Sequence, residues 1–152
     1  RLNSIAVSYG KKIHHIKAHG ALYNQMFNDK DLSDFYLDTI RGFKEESYIY
    51  IPYNSEIEKS ALEKGFKIMY EAFGDRAYND NLSIVNRDDK GALINNPRLV
   101  IDQITSIIDS KKIKSINGVC KSIKADTICI HSDTDNSIEI LKEINKAFKN
   151  KK

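Results

Sequence analysis

The sequence IKAHGALYNQ at positions 16–25 decides how the rest of the chain is interpreted, because a strand-like run ends there directly in reactive side chains. The run covers residues 13–16, and Gly20 relieves the backbone just beyond it. Three polar residues follow the run in close succession: Lys17, His19 and Asn24. A strand end holds such side chains on a rigid support while the next loop exposes them, so the stretch is predicted to be one edge of an active site.

These side chains offer complementary chemistry. Lys17 can neutralise a carboxylate or a phosphate, His19 can transfer a proton or ligate a metal near neutral pH, and Asn24 can both donate and accept hydrogen bonds. Such residues beside a strand are also common as surface or packing residues, so the spacing alone leaves both interpretations open. His14 and His15 alternate within the predicted strand, so one of them should pack and the other should point outward.

Strand-like and helix-like segments alternate along the whole chain, which predicts a parallel βα architecture. The predicted strands are residues 13–16, 48–52, 66–72 and 127–130. The predicted helices are residues 2–9, 29–44, 55–64, 97–108 and 137–148, and residues 113–123 form a hairpin around Asn117-Gly118. Because the carboxyl ends of parallel strands share one rim, the polar residues just past them should lie together there. Polar loop residues are common in any fold, which is the alternative explanation.

The segment 74–96 is rich in Asp, Asn, Arg and Gly, and within it only residues 82–85 have strand character, so it is predicted to be a long functional loop. Arg76 and Arg87 can grip a planar carboxylate or phosphate, and Asp75 can orient one of these guanidinium groups. Tyr78 can supply a hydroxyl or a stacking face. The alternative is a salt-bridged arm that only covers the rim.

His131 and Asp133 follow the last predicted strand at positions i and i+2 and should face the same side. This arrangement suits a general base oriented by a carboxylate, or part of a metal site. A single His needs partners from other strands, and His19 is the expected one.

Composition limits the classes of function. One domain over residues 1–152 can bury a core, and 41% hydrophobic with 30% charged residues is ordinary for a soluble protein. No apolar run approaches the roughly 20 residues that cross a bilayer, and the scattered lysines behind the +3 net charge form no nucleic-acid stripe. Cys120 and Cys129 lack the spacing of a metal or disulfide framework, so a reducing, cytoplasmic setting is expected. Residues 149–152 should form a frayed end.

Six motifs occur in a fixed order: KAHGALYN at 17–24, FGDRAY at 73–78, IVNR at 84–87, KGALI at 90–94, SING at 115–118 and KADTICIHSD at 124–133. They resemble KPHGALYN, FADRAY, LVSR, PGAVI, SING and KADTICVHGD of the LamB/YcsF family. Ala18 stands where that family usually has Pro, and Ser132 where it usually has Gly. The DLNxDxGE-like and NIACGFHAGD-like motifs of the family's amino-terminal part do not occur in this sequence.

The resemblance implies an α/β fold, a partial (β/α) barrel of the glycoside hydrolase/deacetylase-like type, with parallel strands alternating with helices plus a β-hairpin. The chain is expected to be the carboxyl-terminal portion of such a barrel, since four strands are about half of what a closed one needs. The open edge should be covered by a second polypeptide carrying the missing amino-terminal half or by self-association, unless the chain is a processed piece of a longer precursor.

The resemblance also implies an activity, the ATP-dependent opening of the cyclic amide 5-oxoproline to glutamate, together with other 5-oxoprolinase subunits. His19 and His131 are then expected to transfer protons, Asp133 to orient, and Lys17 or Arg76 to hold the substrate carboxylate or a phosphorylated intermediate. No GxxxxGK phosphate loop occurs, so ATP should be handled by a partner subunit, and a divalent metal is left open. The alternatives are a non-catalytic binding module of the same fold and a metal-dependent deacetylase-like hydrolase.

Overall fold

The computed structural model describes residues 1–149, so the tail predicted to fray lies almost wholly outside the described residues. The helices are α1 (Leu2–Ser8), α2 (Ala21–Gln25), α3 (Lys30–Thr39), α4 (Glu56–Glu63), α5 (Pro97–Thr105) and α6 (Ser137–Phe148). The strands are β1 (His15–Ile16), β2 (Tyr48–Ile51), β3 (Lys67–Phe73), β4 (Lys112–Lys114), β5 (Cys120–Ser122) and β6 (Thr127–Cys129). The predicted alternation of strands with helices is confirmed.

The chain divides into two compact units, Arg1–Tyr70 and the residues from Glu71 onward. One domain over residues 1–152 therefore stays a prediction. Within residues 1–149, no helix combines the length and the apolar character needed to cross a membrane.

In the first unit, β1, β2 and the first part of β3 pair in parallel, with His15 opposite Tyr48 and Ile49 opposite Ile68. Apolar side chains of β2, α3 and α4 are buried, among them Leu37, Ile49, Ile51, Ile57 and Ala61, and α3 packs against α4. Side-chain oxygens of Asp29 and Ser55 accept backbone N–H groups at the amino termini of α3 and α4, which explains where these helices begin.

Two predictions in this unit are wrong in detail. The helix predicted over residues 29–44 ends at Thr39, and a separate 3-10 turn follows at Arg41–Phe43. The apolar residues at helical spacing in α1 form no core stripe, since none of them is buried. Spacing indicates a helix but not what the helix packs against.

In the second unit, the end of β3 pairs in parallel with β6, with Phe73 opposite Cys129. One face of this pair packs on α5 and α6, where Val100, Ile104 and Ile140 are buried. The predicted hairpin is confirmed as β4 and β5, which pair antiparallel. Gly118 in its turn has φ +84, a conformation that glycine adopts without steric cost.

Between β3 and α5 the described chain forms only isolated bridges, which agrees with the prediction of a long loop. The strand character predicted for residues 82–85 is wrong, because Leu82 has φ +75 and cannot continue an extended ladder. Only Ile84 forms a bridge, opposite Tyr78.

Candidate active site

The first unit places Lys17 and His19 just after β1, as predicted, whereas Asn24 lies on α2. The backbone carbonyl of Lys17 lies 3.1 Å from Nδ1 of His19, so that nitrogen carries the proton and Nε2 keeps its lone pair. The ammonium of Lys17 lies 5.8 Å from the ring centroid of Tyr23, within range of a cation–π contact. Asn24 lies exposed in α2.

The second unit is organised around Asp75, whose side chain is fully buried. Its Oδ2 accepts the backbone N–H of His131 at 2.8 Å and the hydroxyl of Thr134 at 2.6 Å. Its Oδ1 lies 3.0 Å from Nδ1 of His131. Three donors therefore converge on one carboxylate, which offsets much of the free-energy cost of burying its charge.

The electrostatics agree with an ionised Asp75. Burial on its own raises the pKa of this carboxyl, but the hydrogen bonds from His131 and Thr134 outweigh burial and hold the pKa below its ordinary value. An ionised carboxylate only accepts hydrogen bonds, so Nδ1 of His131 must be the protonated nitrogen. The lone pair is left on Nε2 of His131, where it can accept a proton.

The imidazole of His131 is held in a second way. Its ring stacks on Phe73, with centroids 5.1 Å apart and planes inclined by 16°. The side chain is 29% exposed, so a ligand can reach a ring whose orientation is set by Asp75 and Phe73. A histidine with one nitrogen held by a carboxylate and the other available has the arrangement of a general base.

Asp133 does not orient His131, contrary to the prediction. It accepts instead from the guanidinium of Arg87 at 2.6 Å, and both of these side chains are exposed. The hydrogen bond raises the pKa of Arg87 and lowers the pKa of Asp133. Alternation along β6 predicts the direction of a side chain but not its hydrogen-bond partner. The carboxylate that orients His131 is that of Asp75, which follows β3.

Arg76 and Tyr78 are both buried, and their predicted role in substrate binding stays a prediction. The Tyr78 hydroxyl accepts the backbone N–H of Phe73 at 2.7 Å, and burial raises the pKa of the phenol well above its ordinary value. The Arg76 guanidinium donates to the carbonyl of Val85 at 2.8 Å, while its Nε has no hydrogen-bond partner among residues 1–149. Burial lowers the pKa of Arg76, and the neighbouring Asp75 opposes that effect.

Two further residues support the site and were missed from the sequence. Thr134 is buried and holds Asp75, and the side-chain amide of Gln103 donates to the carbonyls of Phe73, Gly74 and Arg76. The spacing of Thr134, three residues after His131, was the only signal available for it. Gln103 lies on α5, where the sequence pattern marks only the apolar stripe.

The two groups of polar residues belong to different units, so their convergence in one cavity stays a prediction. No group of three or more His, Cys, Asp or Glu side chains in the described part of the chain is arranged to hold a metal ion.

Similarity to known proteins identifies the family of this chain. The model of the LamB/YcsF family matches residues 1–152. The chain belongs to the LamB/YcsF family. It is 38% identical over 148 residues to the A subunit of 5-oxoprolinase from Campylobacter jejuni subsp. jejuni, covering 97% of this chain and 58% of that protein. It is 36% identical over 147 residues to the corresponding protein of Fusobacterium nucleatum, covering 97% and 57%.

The fold of this LamB/YcsF chain matches a solved structure, that of a lactam utilization protein from Thermus thermophilus, with a TM-score of 0.87. The match covers 97% of this chain and 59% of that protein at 24% identity, so it carries the fold alone. The α/β class expected from the sequence is confirmed. The chain spans somewhat more than half the length of the curated relatives it matches.

Proposed function

We propose that this chain supplies catalytic groups to an ATP-dependent 5-oxoprolinase, which opens the cyclic amide 5-oxoproline to glutamate. The observation that carries the proposal is the contact between Asp75 and His131, which leaves Nε2 of His131 as a proton acceptor. The relatives, which are 5-oxoprolinase subunits by name, supply the substrate class.

The chemistry requires a base and an electrophile. An amide carbonyl resists attack by water, and transfer of a phosphoryl group from ATP to the oxygen of that carbonyl makes the carbon more electrophilic. Nε2 of His131 removes a proton from the attacking water, and Asp75 stabilises the imidazolium that forms. The ring C–N bond then breaks, the nitrogen takes up a proton, and a γ-glutamyl phosphate forms. A second water hydrolyses this acyl phosphate to glutamate and phosphate.

Anion recognition falls to the arginines in the loop that follows β3. The buried Arg76 still has an Nε–H without a partner among the described residues, and a buried guanidinium in that state favours a nearby anion. Arg87 is exposed and forms an ion pair with Asp133. An incoming carboxylate or phosphate can replace Asp133 as its partner. As the family resemblance implies, Lys17 is proposed to hold a carboxylate or phosphate and His19 to transfer a proton.

The relatives are named as one subunit of an enzyme, which supports the proposal that this chain acts together with other subunits. We assign ATP to one of these other 5-oxoprolinase subunits, and a divalent cation that accompanies the nucleotide would bind there through its phosphates.

The test measures glutamate formation from 5-oxoproline with ATP and the other subunits present. His131→Ala should lower kcat by about 100-fold to 10,000-fold, the range of a positioned general base. Asp75→Asn should lower kcat with little change in KM, because an amide at this position can stabilise the wrong tautomer of His131.

Asp135→Asn is the matched control. Asp135 lies exposed in the loop that carries Asp133 and Thr134, and it should leave kcat unchanged. Circular dichroism establishes that each variant is folded. Full activity of a folded His131→Ala variant would overturn the catalytic assignment and favour the non-catalytic binding module.

A further inference from the structure

A second group of ring nitrogens lies in the first unit, apart from the residues assigned above. Nδ1 of His14 and Nδ1 of His15 are 3.2 Å apart, and both side chains are exposed. The expectation that one of these histidines packs while the other points outward is therefore wrong. Adjacent residues of a regular strand point to opposite faces, but His14 precedes β1, which begins at His15.

Strand β2 holds both imidazoles in place. The ring of His15 stacks on Tyr50 with centroids 3.9 Å apart and planes 5° from parallel. The ring of His14 lies 5.5 Å from that of Tyr48, and the backbone N–H of Tyr48 donates to the carbonyl of His14 at 2.9 Å. The two nitrogens are thus preorganised by aromatic contacts and by the backbone, which lowers the entropy cost of binding a ligand.

The distance between the nitrogens fits a shared metal ion. Imidazole nitrogens bind Zn²⁺ at about 2.0–2.1 Å, so two of them 3.2 Å apart enclose an angle of about 100° at the ion. This angle lies between the square-planar and tetrahedral values that Cu²⁺, Ni²⁺ and Zn²⁺ adopt. The same distance also suits one N–H···N hydrogen bond, which would hold the pair without a metal.

We propose that His14 and His15 form a two-histidine site for a divalent transition-metal ion, with water completing its coordination. Neutral imidazole suits Cu²⁺, Ni²⁺ and Zn²⁺, whereas Mg²⁺ and Ca²⁺ prefer oxygen ligands. Affinity should follow the order Cu²⁺ above Ni²⁺, with no binding of Mg²⁺ at this pair. The inference does not rest on the proposed 5-oxoprolinase activity.

In the experiment, NiCl₂, CuCl₂ and MgCl₂ are titrated separately into the untagged full chain, and the heat of binding is measured by calorimetry. The Cys120→Ser background removes an exposed thiol that also binds soft metals. One equivalent of Ni²⁺ should bind. Mutation of a group that only orients a metal ligand typically lowers metal affinity by about 10-fold to 100-fold. Loss of one of the two ligands themselves should therefore weaken binding by at least about tenfold.

Phenylalanine variants isolate the nitrogens from the packing. His15→Phe retains an aromatic ring for Tyr50 to stack on but has no ligand atom, and His14→Phe does the same beside Tyr48. Each should lose affinity, and His19→Ala should not. Sub-stoichiometric Cu²⁺ should broaden the NMR signals of His15 and Tyr50 first.

Unchanged Ni²⁺ affinity in His14→Phe and His15→Phe would show that the pair is only hydrogen-bonded and would overturn the proposal. Broadening centred on His19 or His131 would overturn it equally, by placing the ion elsewhere.

Discussion

At the scale of single residues, Asp75 determines the geometry of the candidate site. It is a fully buried carboxylate that accepts from the backbone and ring of His131 and from the hydroxyl of Thr134. Removal of one partner from a group buried in this way leaves the others unsatisfied, so the three residues should behave as a unit in mutational studies.

Asp75 should also make stability depend on pH in acid. Its pKa is lower in the folded chain than the ordinary value of 3.8, so it stabilises the fold fully above that pH. The stabilisation is lost as the pH falls through the folded pKa. Urea unfolding from about pH 7 down to about pH 2 should therefore show a steeper acid loss for wild type than for Asp75→Asn. At pH 7 this variant should itself be less stable by about 1–3 kcal/mol.

Asp135→Asn serves as the control, because it removes an exposed carboxylate of the neighbouring loop and should retain the acid dependence of wild type. An Asp75→Asn variant with the same acid profile as wild type would mean that another carboxylate controls this dependence.

At the scale of elements, the pair of β3 and β6 presents two chemically different faces. Ile128 and Ile130 pack against the cluster of Val100, Ile104 and Ile140 on the helices. Phe73 and His131 contact each other on the opposite face. The apolar face holds the strands against α5 and α6, and this rigid support orients the imidazole on the other face.

Gly74 lies against side chains of the apolar face and leaves no room for a Cβ. A Cβ added there would lie 2.7 Å from Cδ1 of Ile130 and 2.9 Å from Cδ1 of Ile104. Gly74→Ala should therefore cost about 1–3 kcal/mol in the free energy of unfolding, measured in urea. Ile130→Val removes the nearest of these atoms, so the double variant should be more stable than the sum of the single effects predicts.

Gly42→Ala is the comparison, because a Cβ at Gly42 would meet no atom within 4 Å. It should change the free energy of unfolding by less than about 0.5 kcal/mol. Strictly additive costs for Gly74→Ala and Ile130→Val would show that the strain lies elsewhere.

At the scale of the whole molecule, the chain belongs to the LamB/YcsF family but spans only 58% of a 5-oxoprolinase A subunit. Its activity should therefore be measured with the other subunits present. The sequence contains no GxxxxGK loop, and the proposed division of labour places ATP on another subunit. Titration of ATP into this chain alone should then give no saturable heat, whereas ATP-dependent glutamate formation should require the other subunits. Saturable ATP binding by the isolated chain would contradict this division, and titration of ATP into the other subunits alone is the control.

Much of the fold could be predicted from the sequence because its signals are local. Apolar periodicity located most helices and strands, and Asn117-Gly118 marked the hairpin. The family motifs pointed to the α/β class. Local signals failed where packing decides, as in α1, whose apolar residues are not buried.

The candidate site divides in the same way. The sequence by itself determined that His131 follows a strand and that Asp75 and Arg87 lie in the loop after another strand. Only the tertiary structure decided the pairing, since Asp75 contacts His131 across 56 positions and Arg87 contacts Asp133 across 46. The physical reason is that strand periodicity sets which way a side chain points, whereas its hydrogen-bond partner depends on which strand end the fold brings alongside.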